Sequence, residues 1–98
     1  MSEQGTDRRI VHVHIEGGVQ GVGYRLWTKR VADGLGLSGW VRNRREGSVE
    51  ALFCGPAGDV ARMLERCKDG PPAARVTAVE ILAESGTAPD GFCVLPTA

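Results

Sequence analysis

The chain has no apolar run approaching membrane-spanning length, and its opening residues, MSEQGTDRR, lack the apolar core of a secretory signal. Both absences predict a cytoplasmic chain with no membrane partner. Residues 1–8 are expected to form a flexible tail ahead of a single domain over 9–98. Cysteine is scarce: Cys54, Cys67 and Cys93 are odd in number, widely spaced and without a C-x-x-C pair. That is no zinc pattern, and it reads as three reduced, mostly buried thiols. A charge excess of either sign is missing too. Twelve Lys and Arg balance twelve Asp and Glu, which argues against a general nucleic-acid binder. No low-complexity segment or long linker divides the 98 residues, which suffice for one modest core and not for two.

What is present is unevenly placed. Between Arg25 and Arg45 stand six of the twelve bases against the single acid Asp33. Such a cluster fits a solvated surface, and it also fits a site that draws in a small anion.

Along the chain, RIVHVHIEG (9–17) alternates, with Val11, Val13 and Ile15 on one face and His12 and His14 on the other, as a half-buried strand does. The period then changes. Over 23–37, Tyr24, Trp27, Val31 and Leu35 share one helical stripe, and Gly34 and Gly36 end the helix. Strands are expected over 38–45 and 48–55, joined at EG, with Val49, Ala51 and Phe53 inward. Val60, Met63, Leu64 and Cys67 mark a second helix that Gly70-Pro71-Pro72 stops. Residues 74–84 read as a fourth strand, although Val76, Val79 and Ile81 do not alternate cleanly, and GFCVL (91–95) as a short edge strand. This order predicts an α+β fold, the ferredoxin-like βαββαβ sandwich, with both helices on one face of an antiparallel sheet. In that topology the first and second strands run parallel on either side of the third. Their C-terminal ends, with the glycine loop after one and Asn43 near the end of the other, emerge at one edge.

The loop GGVQGVGYR (17–25) frames G-x-x-x-x-G between Gly18 and Gly23, the spacing of a P-loop, but Tyr24 and Arg25 follow where Lys and Ser or Thr would stand. With no hydroxyl there and no downstream Asp on a strand, magnesium nucleotide chemistry is disfavoured. Glycines at 17, 18, 21 and 23 allow positive φ and inward N–H groups, and the following helix adds its positive end. Arg25 in the first turn of a helix is electrostatically misplaced unless an anion belongs there. Taken alone, the loop fits this reading and a plain strand-to-helix turn with a surface arginine equally well.

VHIEGGVQGVGYR and GWVRNRREGSVEALFCG together resemble the two signatures of the acylphosphatases, G-x-V-Q-G-V-x-(aromatic)-R and G-(aromatic)-V-x-N-x-x-x-G-x-V with a glycine beyond. The likeness runs from about residue 9 to residue 95. It departs in placing Tyr24 where phenylalanine is frequent, Gly23 at the variable position before it, and VLPTA where some members end on an aromatic residue. The resemblance implies the same sandwich and the hydrolysis of an acyl phosphate to carboxylate and inorganic phosphate, with no metal and no cofactor. It implies that Arg25 binds the phosphate and that Asn43 positions water. The backbone of Gly18, Val19, Gln20, Gly21, Val22 and Gly23 would hold the phosphoryl oxygens. The expected partners are the small-molecule substrate and inorganic phosphate as product and inhibitor, with the chain a monomer that binds no nucleic acid.

Other residues carry weaker signals. His12 and His14, at i and i+2, have a spacing that some zinc sites use, but no Cys or acid is grouped with them in sequence. Solvent-facing or helix-packing roles fit them better. Tyr24 and Trp40 read as packing, and Glu65, Asp69, Glu80 and Glu84 as solvated surface. A noncatalytic ligand- or RNA-binding module on the same sandwich is the main alternative, and SVEALFCG lacks the RNA-recognition run expected on its strand. A second alternative uses the loop for a carbamoyl or other phosphate inside a larger enzyme.

Overall fold

The computed structural model describes residues 7–98, so most of the expected tail lies outside the described residues. The elements are β1 (Arg8–Gly18), α1 (Tyr24–Gly34), β2 (Ser38–Asn43), β3 (Val49–Pro56), α2 (Ala57–Cys67), β4 (Arg75–Ala83) and β5 (Phe92–Val94). The sheet order is β4-β1-β3-β2-β5. β1 pairs antiparallel with β3 and β4, and β2 antiparallel with β3. The βαββαβ sandwich is therefore as the sequence predicts, with one addition. β5 joins β2 in parallel, which makes the five-stranded sheet mixed rather than purely antiparallel. No helix among the described residues is long and apolar enough to cross a membrane.

Register decides which side chains meet the helices. Val11, Val13 and Ile15 of β1 stand opposite Phe53, Ala51 and Val49 of β3, and all six are fully buried. Across β2 the same rows continue through Gly39, Val41 and Asn43. Asn43 thus ends the row Ile15–Val49–Asn43, a polar residue placed where the apolar core gives out.

The expected stripe on α1 is displaced by about one position. Tyr24, Thr28 and Ala32 are its buried residues, while Trp27, Val31 and Leu35 pack along the edge. Small side chains at 28 and 32 let the helix approach the sheet, and the Thr28 hydroxyl donates to the Tyr24 carbonyl at 2.8 Å, so its burial leaves no orphan. The helix closes with Leu37 N–H on Ala32 O and Gly36 N–H on Asp33 O, the paired bonds of a Schellman end. In α2, Val60, Met63 and Cys67 are buried as the pattern predicts, and Leu64 is partly so.

β4 fails to alternate for a physical reason. Its pairing with β1 shifts between His12 and Val13 and again between Glu16 and Gly17, so Leu82 and Thr77 are skipped. The bulge at Thr77 brings Val76 opposite Gly17, out of phase with Val79 and Ile81, which stand opposite Ile15 and Val13. At the second bulge the backbones nearly touch: a Cβ on Gly17 would lie 2.0 Å from the Arg75 carbonyl oxygen. Only glycine fits there.

Candidate active site

The segment between β1 and α1 is anchored by apolar residues and open at its glycines. Val19 is 1% exposed, and Val22 packs against the core. Gly21 and Gly23 have φ of 75° and 81°, and a Cβ on either would meet nothing within 4 Å. They are glycines for backbone direction, not for space. Gly17 also has positive φ, whereas Gly18 does not and ends β1 opposite Arg75, so the turned-in arc is carried by Gly21 and Gly23. Gly23 is the N-cap of α1 in the left-handed conformation, with no capping side chain and no acid in the first turn. The first amides of the helix are left open toward the loop.

Beside this arc lies a cleft of about 240 Å³. Its polar lining is Arg25 and Asn43 with the backbone at Gly21 and Gly23, and Val19, Tyr24, Leu26 and Val94 complete its walls. The two side chains singled out from the sequence are brought together. Arg25 is half-buried, and no carboxylate among the described residues pairs with it. The Oδ1 atom of Asn43 is buried and has no hydrogen-bond partner among the described residues. A buried acceptor without a donor costs about 1–3 kcal/mol, so its persistence at a cleft points to use.

The backbone carrying Asn43 is held on both sides. β3 pairs with it at Val49, and its carbonyl accepts from Ala98 N–H at 3.0 Å. Ala98 O in turn accepts from Arg45 N–H at 3.0 Å, and Leu95 N–H donates to Val41 O at 2.9 Å. The segment after β5 thus extends along β2 to the site, a role that VLPTA does not announce in sequence. Tyr24 contributes from below. Its hydroxyl donates to the Cys67 carbonyl at 2.7 Å and ties the start of α1 to the end of α2. Burial raises the Tyr24 hydroxyl far above its ordinary value and pushes the Cys67 thiol up to about 12, so both stay neutral.

Residues 11–94 match the family described as Acylphosphatase. The chain belongs to the acylphosphatase family. A curated acylphosphatase of Nitrobacter hamburgensis is 62% identical over 74 residues, which cover 76% of this chain and 75% of that protein. One from Rhizorhabdus wittichii is 47% identical over 91 residues, covering 93% and 92%. The crystal structure of the acylphosphatase from Bacillus subtilis superimposes with a TM-score of 0.82 at 32% identity, over 91% of this chain and 99% of that one. These likenesses give no support to a noncatalytic binding module.

The remaining candidates lie on the helix-free face of the sheet. His12, Leu52 and Trp40 share one row there, and His14, Glu50 and Arg42 the next. Glu50 accepts from Arg42 Nε at 2.8 Å and Arg44 Nη1 at 3.3 Å, and meets His12 Nε2 at 2.5 Å. Burial pushes its carboxyl up, but the contacts with Arg42 and His12 outweigh burial and hold it below the usual carboxylate range. Trp40 lies edge-on to His12 and under the Arg42 guanidinium, away from the cleft. The basic cluster therefore divides: Arg42 and Arg44 pair with Glu50, Lys29 pairs with Asp33 at 2.9 Å, and Arg25 alone of the six lines the cleft. His14 has acidic company, Glu16 two residues on and Glu80 from β4, of which only the second is distant in sequence. Its ligand atom and those of Glu16 and Glu80 lie within 4.8 Å of one another, with both carboxylates exposed.

Proposed function

We propose that the cleft performs hydrolysis of an acyl phosphate by direct attack of one water on phosphorus. The Arg25 guanidinium and the backbone of residues 18–23, apart from the Val19 N–H already bonded to Gly17 O, take the phosphoryl oxygens, and the Asn43 side-chain amide orients the attacking water. The observation that carries this reading is the meeting, in one cleft, of the Asn43 side chain with an arginine that no carboxylate among the described residues pairs with.

The chemistry asks for little more. The water oxygen–phosphorus bond forms as the phosphorus–acyl oxygen bond breaks. The electron pair leaves on a carboxylate, and the water's proton passes to the phosphate product or to solvent. A carboxylate has an aqueous pKa of about 4, so it leaves without a general acid. A loose transition state needs its nucleophile aligned rather than ionised. Charge on the equatorial oxygens is what remains, and a bidentate guanidinium with preorganised N–H groups meets it. Asparagine does not titrate, so its role is orientation.

No carboxylate, imidazole or thiol lines the cleft among the described residues, which supports turnover without a metal or cofactor. Inorganic phosphate then acts as product and competitive inhibitor. The remaining expectations belong to the same reading: a single domain over 9–98 that works as a cytoplasmic monomer without a nucleic-acid partner. The test is hydrolysis of a generic acyl phosphate in excess chelator, compared with a phosphate monoester. Acyl phosphate turnover that persists, with the monoester far slower, is expected. Activity abolished by chelator and restored by magnesium or zinc overturns the metal-free mechanism.

A further inference from the structure

We propose that the side chain of Gln20 is a positioning residue that sets the spacing between the anion arc and Asn43. The inference rests on the water-holding role given to Asn43 above.

The arc and Asn43 belong to different strands that are not neighbours, because β3 lies between β1 and β2. No strand ladder joins the loop after β1 to the hairpin after β2. Among the described residues, the backbone bonds of the loop stay local, Val19 N–H to Gly17 O and Trp27 N–H to Gly23 O. The link is made by one side chain. Gln20 Nε2 donates to Arg44 O at 2.7 Å and to Ser48 O at 2.8 Å. Both partners are carbonyls, so both amide hydrogens are committed and the amide can face them in one orientation only. Arg44 follows Asn43 directly, and its own N–H bonds Ser48 O at 2.8 Å, which closes the hairpin that Gln20 grips. With Val19 set in the core on one side and Gln20 clamped to the hairpin on the other, the arc is fixed relative to the backbone bearing Asn43. In-line attack depends on the distance between a held phosphorus and a held water, which this clamp determines. Gln20 therefore contributes twice: its backbone belongs to the arc, and its side chain places the arc against the water site.

Four proteins test this: the parent, Gln20→Met, Asn43→Ala and the double variant, each measured for kcat, phosphate affinity by calorimetry, and melting temperature. Methionine keeps the length of glutamine and removes the donor. Gln20→Met is expected to lose on the order of 10–100-fold in kcat, the scale of misplacing a reacting group by an ångström, with phosphate affinity within about 3-fold of the parent. In the Asn43→Ala background it is expected to change kcat by less than about 2-fold, since it acts through the residue already removed. A merely structural glutamine would lower the melting temperature and leave kcat in place. The proposal is overturned if Gln20→Met keeps its turnover while Asn43→Ala loses it, if the two losses multiply, or if phosphate affinity falls as far as kcat. If Asn43→Ala alone keeps full turnover, the water-holding role fails and the inference fails with it, a result separate from failure at Gln20. Should Gln20→Met not fold, Gln20→Asn, with its amide one methylene short, is judged by the same criteria.

Discussion

Arg25, in the first turn of α1, and Asn43, the last residue of β2, face one cleft with complementary deficits. The first is a cation with no carboxylate partner among the described residues, and the second presents a buried oxygen with no donor. A phosphoryl group and a water would satisfy both.

Arg25→Lys is expected to fold and to lose on the order of 10²-fold or more in kcat/KM, because a point charge cannot reproduce the guanidinium fork. Steady-state kinetics on a variant shown folded by circular dichroism check this. Near-parent kinetics would remove Arg25 from the role of phosphate clamp.

Gly23→Ala creates no clash, since a Cβ there meets nothing within 4 Å, but it places alanine at φ 81°. The expected cost is about 1–2 kcal/mol of stability, accompanied by weaker phosphate binding as the arc relaxes. Gly23→Asn should be milder, because asparagine tolerates the left-handed region. Denaturant melts and phosphate titrations on both variants decide, and equal losses for Ala and Asn would count against a conformational cause.

Much of this architecture is legible in the sequence, and what is not has identifiable causes. Val11, Val13 and Ile15 declare their face by strict alternation, and Arg25 and Asn43, singled out within the two signatures, line one cleft. β4 conceals its face because a bulge at Thr77 moves Val76 out of phase with Val79 and Ile81, and a bulge is a property of the pair, visible only beside β1. On α1 the contact line runs through Thr28 and Ala32, which are chosen for size, so hydrophobicity alone points to the neighbouring stripe. The parallel pairing of β5 and the bonds of Ala98 to the hairpin are contacts distant in sequence from a segment too short to show a period. Gln20 sits inside a recognisable signature, but the partners of its amide are backbone carbonyls, which no residue pattern encodes.

Glu50→Gln is expected to cost about 1–2 kcal/mol at neutral pH, the scale of losing charge-assisted bonds to Arg42, Arg44 and His12. The sign of its pH dependence follows from the lowered Glu50 carboxyl. Its stabilisation is full above the unfolded-state value of about 4.3 and is lost as pH falls through the lower folded value. Melting temperatures of parent and variant should therefore converge in acid and stay apart above pH ~5. A gap of constant size across that range would show that the charge on Glu50 is not the source.

The central claim is that binding and water alignment reside in different groups, and Asn43→Ala measures that division most directly. Turnover of an acyl phosphate and calorimetric titration with inorganic phosphate are made on the same preparation. The account predicts a loss of about 10²-fold or more in kcat, with phosphate affinity nearly unchanged, and no new acidic or basic limb in the pH–rate profile. Retained turnover, or phosphate binding lost as severely as turnover, would contradict it.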